Sequence, residues 1–278
     1  MKEALSPIRE RGFAYLQGAF SLVEKYSVNP ILNQQKAKLS KSLTELLTKN
    51  FANPLNVEGI ENVRQTQELN ARGKKIITIS NHLSYADFPV TMAALKINGF
   101  DAIAENTTAI EGLRLGKDPV RRFLVSGYKR IIIWPQSVEP KNEDEGKKRF
   151  RMNFNALKEA KSKIENGWLQ IYLEGSRSRT QALERAMPES LHFITLADFL
   201  LPIGIYGTEK ILPVGAWLPD VNKASVAFGE PIDVAKEVEK FKDIKNREER
   251  RQMIVNYFMS CIADCLPPKY RGVYANET

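Results

Sequence analysis

The most informative stretch of this chain is Asn81-His82-Leu83-Ser84-Tyr85-Ala86-Asp87. A β-branched run at Ile76–Ile79 precedes the turn, and an apolar run beginning at Phe88-Pro89 follows it. This order predicts a strand, a tight turn and a helix, and the proline suits a first helical turn, where a missing N–H costs nothing. We therefore expect His82 at the carboxyl end of a strand and Asp87 near the N-terminus of the next helix.

The spacing of His82 and Asp87 allows the side chains to meet across such a turn, although on one continuous helix it would turn them apart. A neutral imidazole can take a proton from an attacking hydroxyl, while a carboxylate on its other ring nitrogen fixes the tautomer. The pair therefore predicts general-base catalysis; the alternative is that His82 caps the turn and Asp87 caps the helix. The chain has two histidines. The other, His192, is interpreted as an ordinary interior or interface residue, so His82 is the preferred candidate base.

The net positive charge of the chain indicates which classes of partner it favours. Forty-one Lys and Arg against 33 Asp and Glu give a net charge of +8, which favours nucleic acid, anionic lipid or phosphorylated substrates. Nucleic acid is disfavoured, because aromatic residues do not alternate with the basic ones as in single-strand binders. The sequence contains neither a transmembrane-length apolar run nor a secretory signal pattern, and its two cysteines lack metal-site spacing. These features predict a cytoplasmic protein that associates peripherally with membranes.

Residues 1–53 are predicted to form an appendage of two amphipathic helices, separated at Asn29-Pro30. Basic residues outnumber acidic ones in this appendage, a pattern typical of helices that lie on an anionic membrane surface. The alternative is a helical hairpin packed on the main domain with its lysines solvated. Asn53-Pro54 marks the predicted boundary with a main domain that spans residues 54–278.

The main domain alternates strand-like runs with helical patterns, which predicts an α/β fold with a largely parallel central sheet flanked by helices. The predicted strands are Ile76–Ile79, Phe100–Ala104, Arg130–Trp134, Leu169–Leu173, Leu201–Tyr206 and Ala224–Phe228. The predicted helices are Val90–Ile97, Pro119–Ser126, Phe150–Glu165 and Arg247–Leu266, and Pro140–Arg149 is predicted to be a charged loop. Ligands of such sheets tend to bind at the carboxyl ends of the strands, where His82 is expected.

A second polar turn, Glu174-Gly175-Ser176-Arg177-Ser178-Arg179-Thr180, follows the predicted strand Leu169–Leu173. Gly175 permits unusual backbone angles, and Arg177 and Arg179 offer the forked donors that bind phosphate. The alternative is an ordinary solvated loop. The location at the same end of the sheet as the His–Asp pair favours a binding role.

Together the two turns resemble the hallmark blocks of the glycerol-3-phosphate and lysophosphatidate acyltransferases. Those blocks are Asn-His-x-x-x-x-Asp, matched by residues 81–87, and Glu-Gly-Thr/Ser-Arg-Ser, matched by residues 174–178. A later block of the family, a proline within an apolar strand, is similar to Leu201-Pro202-Ile203-Gly204-Ile205, which Gly207-Thr208 follows. The resemblance covers residues 55–275.

The resemblance implies transfer of a fatty acyl group from acyl-CoA or acyl-carrier protein to a hydroxyl of glycerol-3-phosphate or its 1-acyl derivative, in phospholipid synthesis. It implies no metal or prosthetic group. His82 would be the general base and Asp87 its orienting partner. The implied substrate-binding residues are Glu174, Gly175, Ser176 and Arg177 of the acceptor block, Arg179 as a second arginine of some members, and Pro202 at the acyl-chain site.

One segment of this sequence differs from the pattern of the family. Members usually carry, between the two main blocks, an arginine that contacts the phosphate, and here Trp134-Pro135 stands about where that arginine belongs. Lys129, Arg130 and Lys141 are candidates to replace it. The departure leaves the acceptor open, including another lyso-lipid that lacks a glycerophosphate.

Two further classes of function compete with acyl transfer. A serine hydrolase or thioesterase would use Ser84, Ser176 or Ser178 as its nucleophile, but the chain lacks the Gly-x-Ser-x-Gly elbow. A non-catalytic basic module would bind lipid or nucleic acid through the excess of positive charge alone.

Overall fold

A computed structural model of the chain describes residues 52–113, 127–135, 138–213 and 220–275, together with positions 38, 41, 42, 45, 46 and 48–50. The described positions between 38 and 50 are helical. The rest of the helical appendage predicted for residues 1–53, and the helix predicted at Pro119–Ser126, lie outside the described residues.

The described residues form a central sheet of eight strands. Its strands are β1 (Ala52–Glu58), β2 (Ile76–Ser80), β3 (Thr108–Gly112), β4 (Lys129–Ile133), β5 (Leu169–Tyr172), β6 (Phe199–Tyr206), β7 (Asn222–Phe228) and β8 (Ile232–Asp233). The order across the sheet is β1-β7-β6-β2-β5-β3-β4, and β8 pairs with β6. Strands β2 to β6 are parallel, β7 and β8 run antiparallel to β6, and β1 is parallel to β7. The predicted largely parallel α/β sheet is confirmed, and the predicted boundary between residues 53 and 54 falls within β1.

Helices cover both faces of the sheet. The helices are α1 (Ile60–Ala71), α2 (Asp87–Ile97), α3 (Asp101–Asn106), α4 (Glu143–Lys163), α5 (Leu191–Ile194), α6 (Thr208–Ile211), α7 (Val234–Glu239) and α8 (Arg247–Asp264). One apolar cluster, which includes Val63, Leu95 and Ile103, packs α1, α2 and α3 on one face. A second cluster, which includes Ala160 and Phe258, packs α4 and α8 on the other. None of the helices in the described ranges has the length and apolar content needed to cross a membrane.

The prediction of a strand at Phe100–Ala104 is wrong. Residues 101–106 form the helix α3, and the strand follows at Thr108–Gly112. A short apolar run does not by itself distinguish a strand from a buried helical turn. Ile103 and Ala104 are buried on one side of this short helix. Strand β3 begins at Thr108, whose N–H donates to the carbonyl of Trp168 at 2.9 Å.

Helix α4 begins earlier than predicted, so the charged loop assigned to Pro140–Arg149 is wrong beyond Asn142. The Asn142 side chain caps the helix by accepting a hydrogen bond of 2.9 Å from the N–H of Glu145. Acidic side chains fill the first turn, where the helix dipole favours negative charge. Arg149 and Phe150 therefore both lie on this helix, and Arg149 does not lie in the predicted loop.

Candidate active site

The two polar turns are in contact because β2 and β5 are neighbours in the sheet. Ser80 pairs with Tyr172 in the parallel register, so both strands end at the same edge. The N–H of Ser178 donates to the carbonyl of His82 at 2.7 Å. In return, the N–H of His82 donates to a carboxylate oxygen of Glu174 at 2.9 Å. The structure therefore brings the two sequence motifs together.

His82 and Asp87 form a direct pair. The Nδ1 atom of His82 lies 2.8 Å from Oδ2 of Asp87, the first residue of α2, whose side chain is fully buried. The same oxygen accepts the N–H groups of Leu83 at 2.7 Å and Ser84 at 2.9 Å. The hydroxyl of Thr208 donates to Oδ1 of the same carboxylate. Because Oδ2 already accepts two backbone N–H groups, the geometry favours the neutral tautomer of His82 with its proton on Nδ1, in which Nε2 is the nitrogen that can accept a proton.

The imidazole of His82 is also held by an aromatic ring. Tyr172 stacks on it, with ring centroids 4.0 Å apart and an angle of 18° between the planes. Burial raises the pKa of the Tyr172 phenol well above its ordinary value, so the ring remains neutral. The His82 side chain is 16% exposed, which leaves one edge of the ring accessible. Sequence reasoning gave Tyr172 no role, since it reads as a strand residue.

Asn81 fixes the backbone immediately before the candidate base. Its side-chain amide donates to the carbonyl of Ile205 at 2.7 Å and accepts the N–H of the same residue at 2.8 Å. This pair of bonds continues the β2–β6 pairing one residue beyond the end of β2. It also lies close to the β6 end that leads into Thr208, the hydroxyl donor to Asp87.

The carboxylate of Glu174 links two segments of the site. One carboxylate oxygen accepts the N–H of His82 and the other accepts the N–H of Glu184, each at 2.9 Å. The side chain is 6% exposed, and burial raises the pKa of Glu174 to about 8, although these two N–H donors act in the opposite direction. Glu174 is absent from the cavity wall formed by the described residues.

Four of the other six residues of the second turn line one cavity with His82, namely Gly175, Ser176, Arg177 and Arg179. Gly175 has a φ of +66°, and a Cβ atom there would lie 3.1 Å from the Cγ atom of Met187, so the turn favours glycine. The guanidinium carbon of Arg177 lies 3.8 Å from the centre of the Tyr85 ring. Ser176 and Arg179 are exposed at the rim.

Pro202 is not brought to this cavity. It lies in β6, where it pairs with Ile79, and its carbonyl accepts the N–H of Gly229 at 2.9 Å. The proline is buried in β6, which flanks β2 on the side opposite to β5, and it is not among the described residues that line the cavity.

The cavity has a volume of about 990 Å³ and two chemically different walls. The polar part includes His82, Arg177 and Arg179, together with the carboxylates of Glu111, Glu184 and Glu189. The apolar part is formed by Phe88, Pro89, Ile110, Tyr128, Ile133, Trp134, Pro135, Phe150, Phe154 and Leu157. The candidate base therefore shares one cavity with arginine side chains and an extended apolar surface, an arrangement suited to an amphipathic substrate.

None of the three predicted replacements for the missing arginine lines this cavity in the described part of the chain. Arg130 lies 3.7 Å from a carboxylate oxygen of Glu111, and the ammonium of Lys129 donates to the Asn106 side chain at 2.7 Å. Lys141 is exposed before the start of α4.

Arg149 of α4 does line the cavity, and sequence reasoning missed it by assigning it to a loop. The side chain of Asn153 accepts the N–H of Trp134 at 2.8 Å and donates to its carbonyl at 2.9 Å. Arg149 precedes Asn153 by four residues and so shares its face of the helix. Its guanidinium makes no hydrogen bond or ion pair within the described ranges. The arginine therefore lies one helical turn from the residue that holds Trp134, the position where the resemblance led us to expect an arginine.

Of the two alternatives that the sequence left for His192, an interior or an interface residue, the interior one is wrong. Its side chain is largely exposed, and it lies on the wall of the same cavity. Its Nε2 atom is 3.0 Å from an Nη atom of Arg251. Partial burial, followed by the charge of Arg251, lowers the pKa of His192. With a cation rather than a carboxylate beside it, His192 lacks the orienting partner that His82 has.

Comparisons with known proteins found one family match and a similar solved structure. The sequence model of a family described as Acyltransferase matches residues 54–215, a range that contains both turns. The crystal structure of the 1-acyl-sn-glycerophosphate (LPA) acyltransferase PlsC from Thermotoga maritima is similar, with a TM-score of 0.53 and 21% sequence identity. The similarity covers 95% of this chain and 97% of that one, and at this identity it shows a shared fold. A comparison with curated protein sequences found no match.

Proposed function

The chain belongs to the acyltransferase family, and we propose that it transfers a fatty acyl group from acyl-CoA or acyl-carrier protein to a hydroxyl of a glycerophosphate, in phospholipid synthesis. One observation carries the proposal: an oriented His–Asp pair and arginine side chains line a single cavity whose other wall is apolar. The likeness of both turns to the blocks of glycerol-3-phosphate and lysophosphatidate acyltransferases supports it. So does the fold shared with the Thermotoga maritima enzyme.

The proposed reaction begins when the acceptor hydroxyl gives its proton to Nε2 of His82. The oxygen attacks the carbonyl carbon of the thioester, and Asp87 stabilises the imidazolium that forms. The tetrahedral intermediate then collapses, the C–S bond breaks, and the thiolate takes the proton back from His82. The result is an ester and a free thiol, with the base restored and no metal or prosthetic group used.

In this proposal the arginine side chains of the cavity bind the acceptor phosphate. Arg177 and Arg179 approach it from the second turn and Arg149 from α4. Bidentate guanidinium–phosphate bonds would fix the acceptor hydroxyl relative to His82, which is the orientation that a bimolecular transfer requires. The fatty acyl chains would lie along the apolar part of the cavity.

The serine hydrolase alternative has less support. The hydroxyl of Ser84 donates to the carbonyl of Leu212 at 3.0 Å, and that of Ser178 donates to the carbonyl of Ala182 at 2.7 Å. Among the described residues, no serine hydroxyl is bonded to the His82 ring. A nucleophilic serine needs such a bond for activation.

A panel of acceptors tests the proposed function. One long-chain acyl-CoA is supplied with glycerol-3-phosphate, with its 1-acyl derivative, or with a lyso-lipid that lacks a phosphate, and thiol release is measured. We expect release to depend on the acceptor and to be fastest with a phosphorylated one. Release that ignores the acceptor would indicate a thioesterase, and equal rates with the phosphate-free lipid would exclude the proposed acceptor class.

Arg149→Ala is expected to raise the KM for the phosphorylated acceptor about tenfold or more, since a hydrogen bond to a charged group contributes about 1.5–3 kcal/mol. The KM for acyl-CoA should stay near that of the wild type. The matched control is Lys148→Ala, which removes an adjacent exposed cation that does not line the cavity. An acceptor KM that is equally unaffected in both variants would remove Arg149 from the phosphate site.

A further inference from the structure

One face of α4 exposes aromatic and cationic side chains together. Its members are Lys147, Phe150, Arg151, Phe154, Lys158 and Lys161. Steps of three or four residues separate them, apart from the adjacent pair at 150 and 151, so they occupy one narrow arc of the helix. All six are exposed, whereas Ala156 and Ala160 on the opposite side are buried in the core. We call these six residues the docking face.

The two phenylalanines are the apolar centre of the docking face. Phe150 is 73% exposed and Phe154 is 48% exposed. Their ring centroids lie 6.1 Å apart with nearly parallel planes, and the Lys158 ammonium lies 4.5 Å from the centre of the Phe154 ring. Two large aromatic rings presented side by side to solvent are characteristic of an interaction surface.

The charges of the docking face complement an anionic partner. Lys147 is paired with Glu143 at 2.7 Å, an acidic residue one turn earlier on the same side. Within the described residues, Arg151, Lys158 and Lys161 have no carboxylate partner. Cations around exposed aromatic rings are the pattern of helices that lie in the interface of an anionic membrane.

The docking face also adjoins the active-site cavity. Phe150 and Phe154 belong to the cavity wall, next to Trp134 and Pro135, and both are exposed to solvent as well. A lipid chain could therefore pass between the bilayer and the cavity without crossing water, a consequence that rests on the proposed function.

We propose that the docking face binds an anionic lipid surface, with Phe150 and Phe154 entering the interface and the cations contacting lipid headgroups. This surface is distinct from the helical pair predicted for residues 1–53. An acidic carrier protein would also be attracted by the cations, but the protruding aromatic pair favours a lipid interface.

The test is co-sedimentation of the full chain with vesicles of phosphatidylglycerol and phosphatidylcholine, in the absence of substrate. We expect Phe150→Ser/Phe154→Ser and, separately, Arg151→Glu/Lys158→Glu to lower the partition coefficient about tenfold or more. Val273→Ser and Lys148→Glu are controls, because they change an apolar residue that is 67% exposed and a cation away from the docking face. Circular dichroism verifies that every variant is folded.

Binding of both double variants at the wild-type level would overturn the proposal. Unchanged vesicle binding together with a raised KM for acyl-carrier protein would assign the docking face to a protein partner and would equally overturn it. Because vesicle binding is measured without catalysis, a chain that binds vesicles through this face but fails the acceptor panel would contradict the proposed function alone.

Discussion

His82→Ala is expected to lower kcat/KM for acyl transfer by about 10²–10⁴-fold, the usual contribution of a general base. The reason is geometric: Asp87 holds the Nδ1 proton of His82, so Nε2 is the atom free to accept the proton of the attacking hydroxyl. The rate is measured as acceptor-dependent thiol release from acyl-CoA under single-turnover conditions.

The fold should survive this substitution, because the hydrogen bonds of residue 82 to the second turn use its backbone N–H and carbonyl. Urea unfolding of His82→Ala, with a midpoint near that of the wild type, is the check. His192→Ala changes the other histidine and should cost far less activity, since no carboxylate orients that ring. Wild-type turnover by His82→Ala would eliminate the proposed base.

Asp87→Asn and Asp87→Ala are expected to separate the charge of this residue from its hydrogen bonding. In the asparagine variant an amide oxygen can still accept from His82, Leu83 and Ser84, but no negative charge stabilises the imidazolium. We expect kcat to fall roughly 10²–10³-fold, the scale of one lost electrostatic interaction in a transition state. The free energy of unfolding should change little.

Asp87→Ala should lose activity and stability together. It leaves the N–H groups of Leu83 and Ser84 without their acceptor in a fully buried position, at a cost of about 1–3 kcal/mol for each group. Urea denaturation of the two variants measures the difference. If the alanine variant were as stable as the asparagine variant, the carboxylate would not hold the turn.

The transfer rate of the double variant His82→Ala/Asp87→Asn measures the energetic coupling between the two residues in catalysis. If Asp87 acts through His82, the double variant should be no slower than His82→Ala alone, because residues that act as a unit are not additive. A further loss on the second substitution would show that Asp87 contributes to catalysis by another route.

The sequence identified the strands and turns that carry the candidate base. The apolar runs at Ile76–Ile79 and Leu169–Leu173 are strands in the structure, within one residue at their ends. Each is followed by a polar turn, and parallel strands place their carboxyl ends at one edge of a sheet. The convergence of His82 and Arg177 on one cavity thus follows from local patterns once β2 and β5 are neighbours.

Contacts between residues far apart in the chain could not be predicted from local sequence patterns. No local pattern shows that both oxygens of Glu174 accept backbone N–H groups, or that Thr208 donates to Asp87 from more than a hundred residues away. The order of strands likewise places Pro202 on the far side of β2 from the second turn. Family resemblance assigned Pro202 and Glu174 to substrate contacts, and neither is among the described residues that line the cavity.

Short helices and strands, and the ends of longer ones, were difficult to predict for a different reason. Phe100–Ala104 contains too few residues for a period of two to be told from a period of 3.6, and the strand that follows it contains Glu111 and Gly112, which are unusual in buried strands. Arg149 was missed because the first turns of α4 are highly charged, and their capping residue, Asn142, was read as part of a loop.

The three bonds accepted by one oxygen of Asp87 bear on how such a protein would evolve. Under the proposed mechanism, selection for catalysis and selection for folding act on the same atom of Asp87, whereas selection on the imidazole of His82 is chiefly catalytic. A descendant that had abandoned its reaction would therefore be free to lose the histidine early, while the aspartate would persist long after activity had gone.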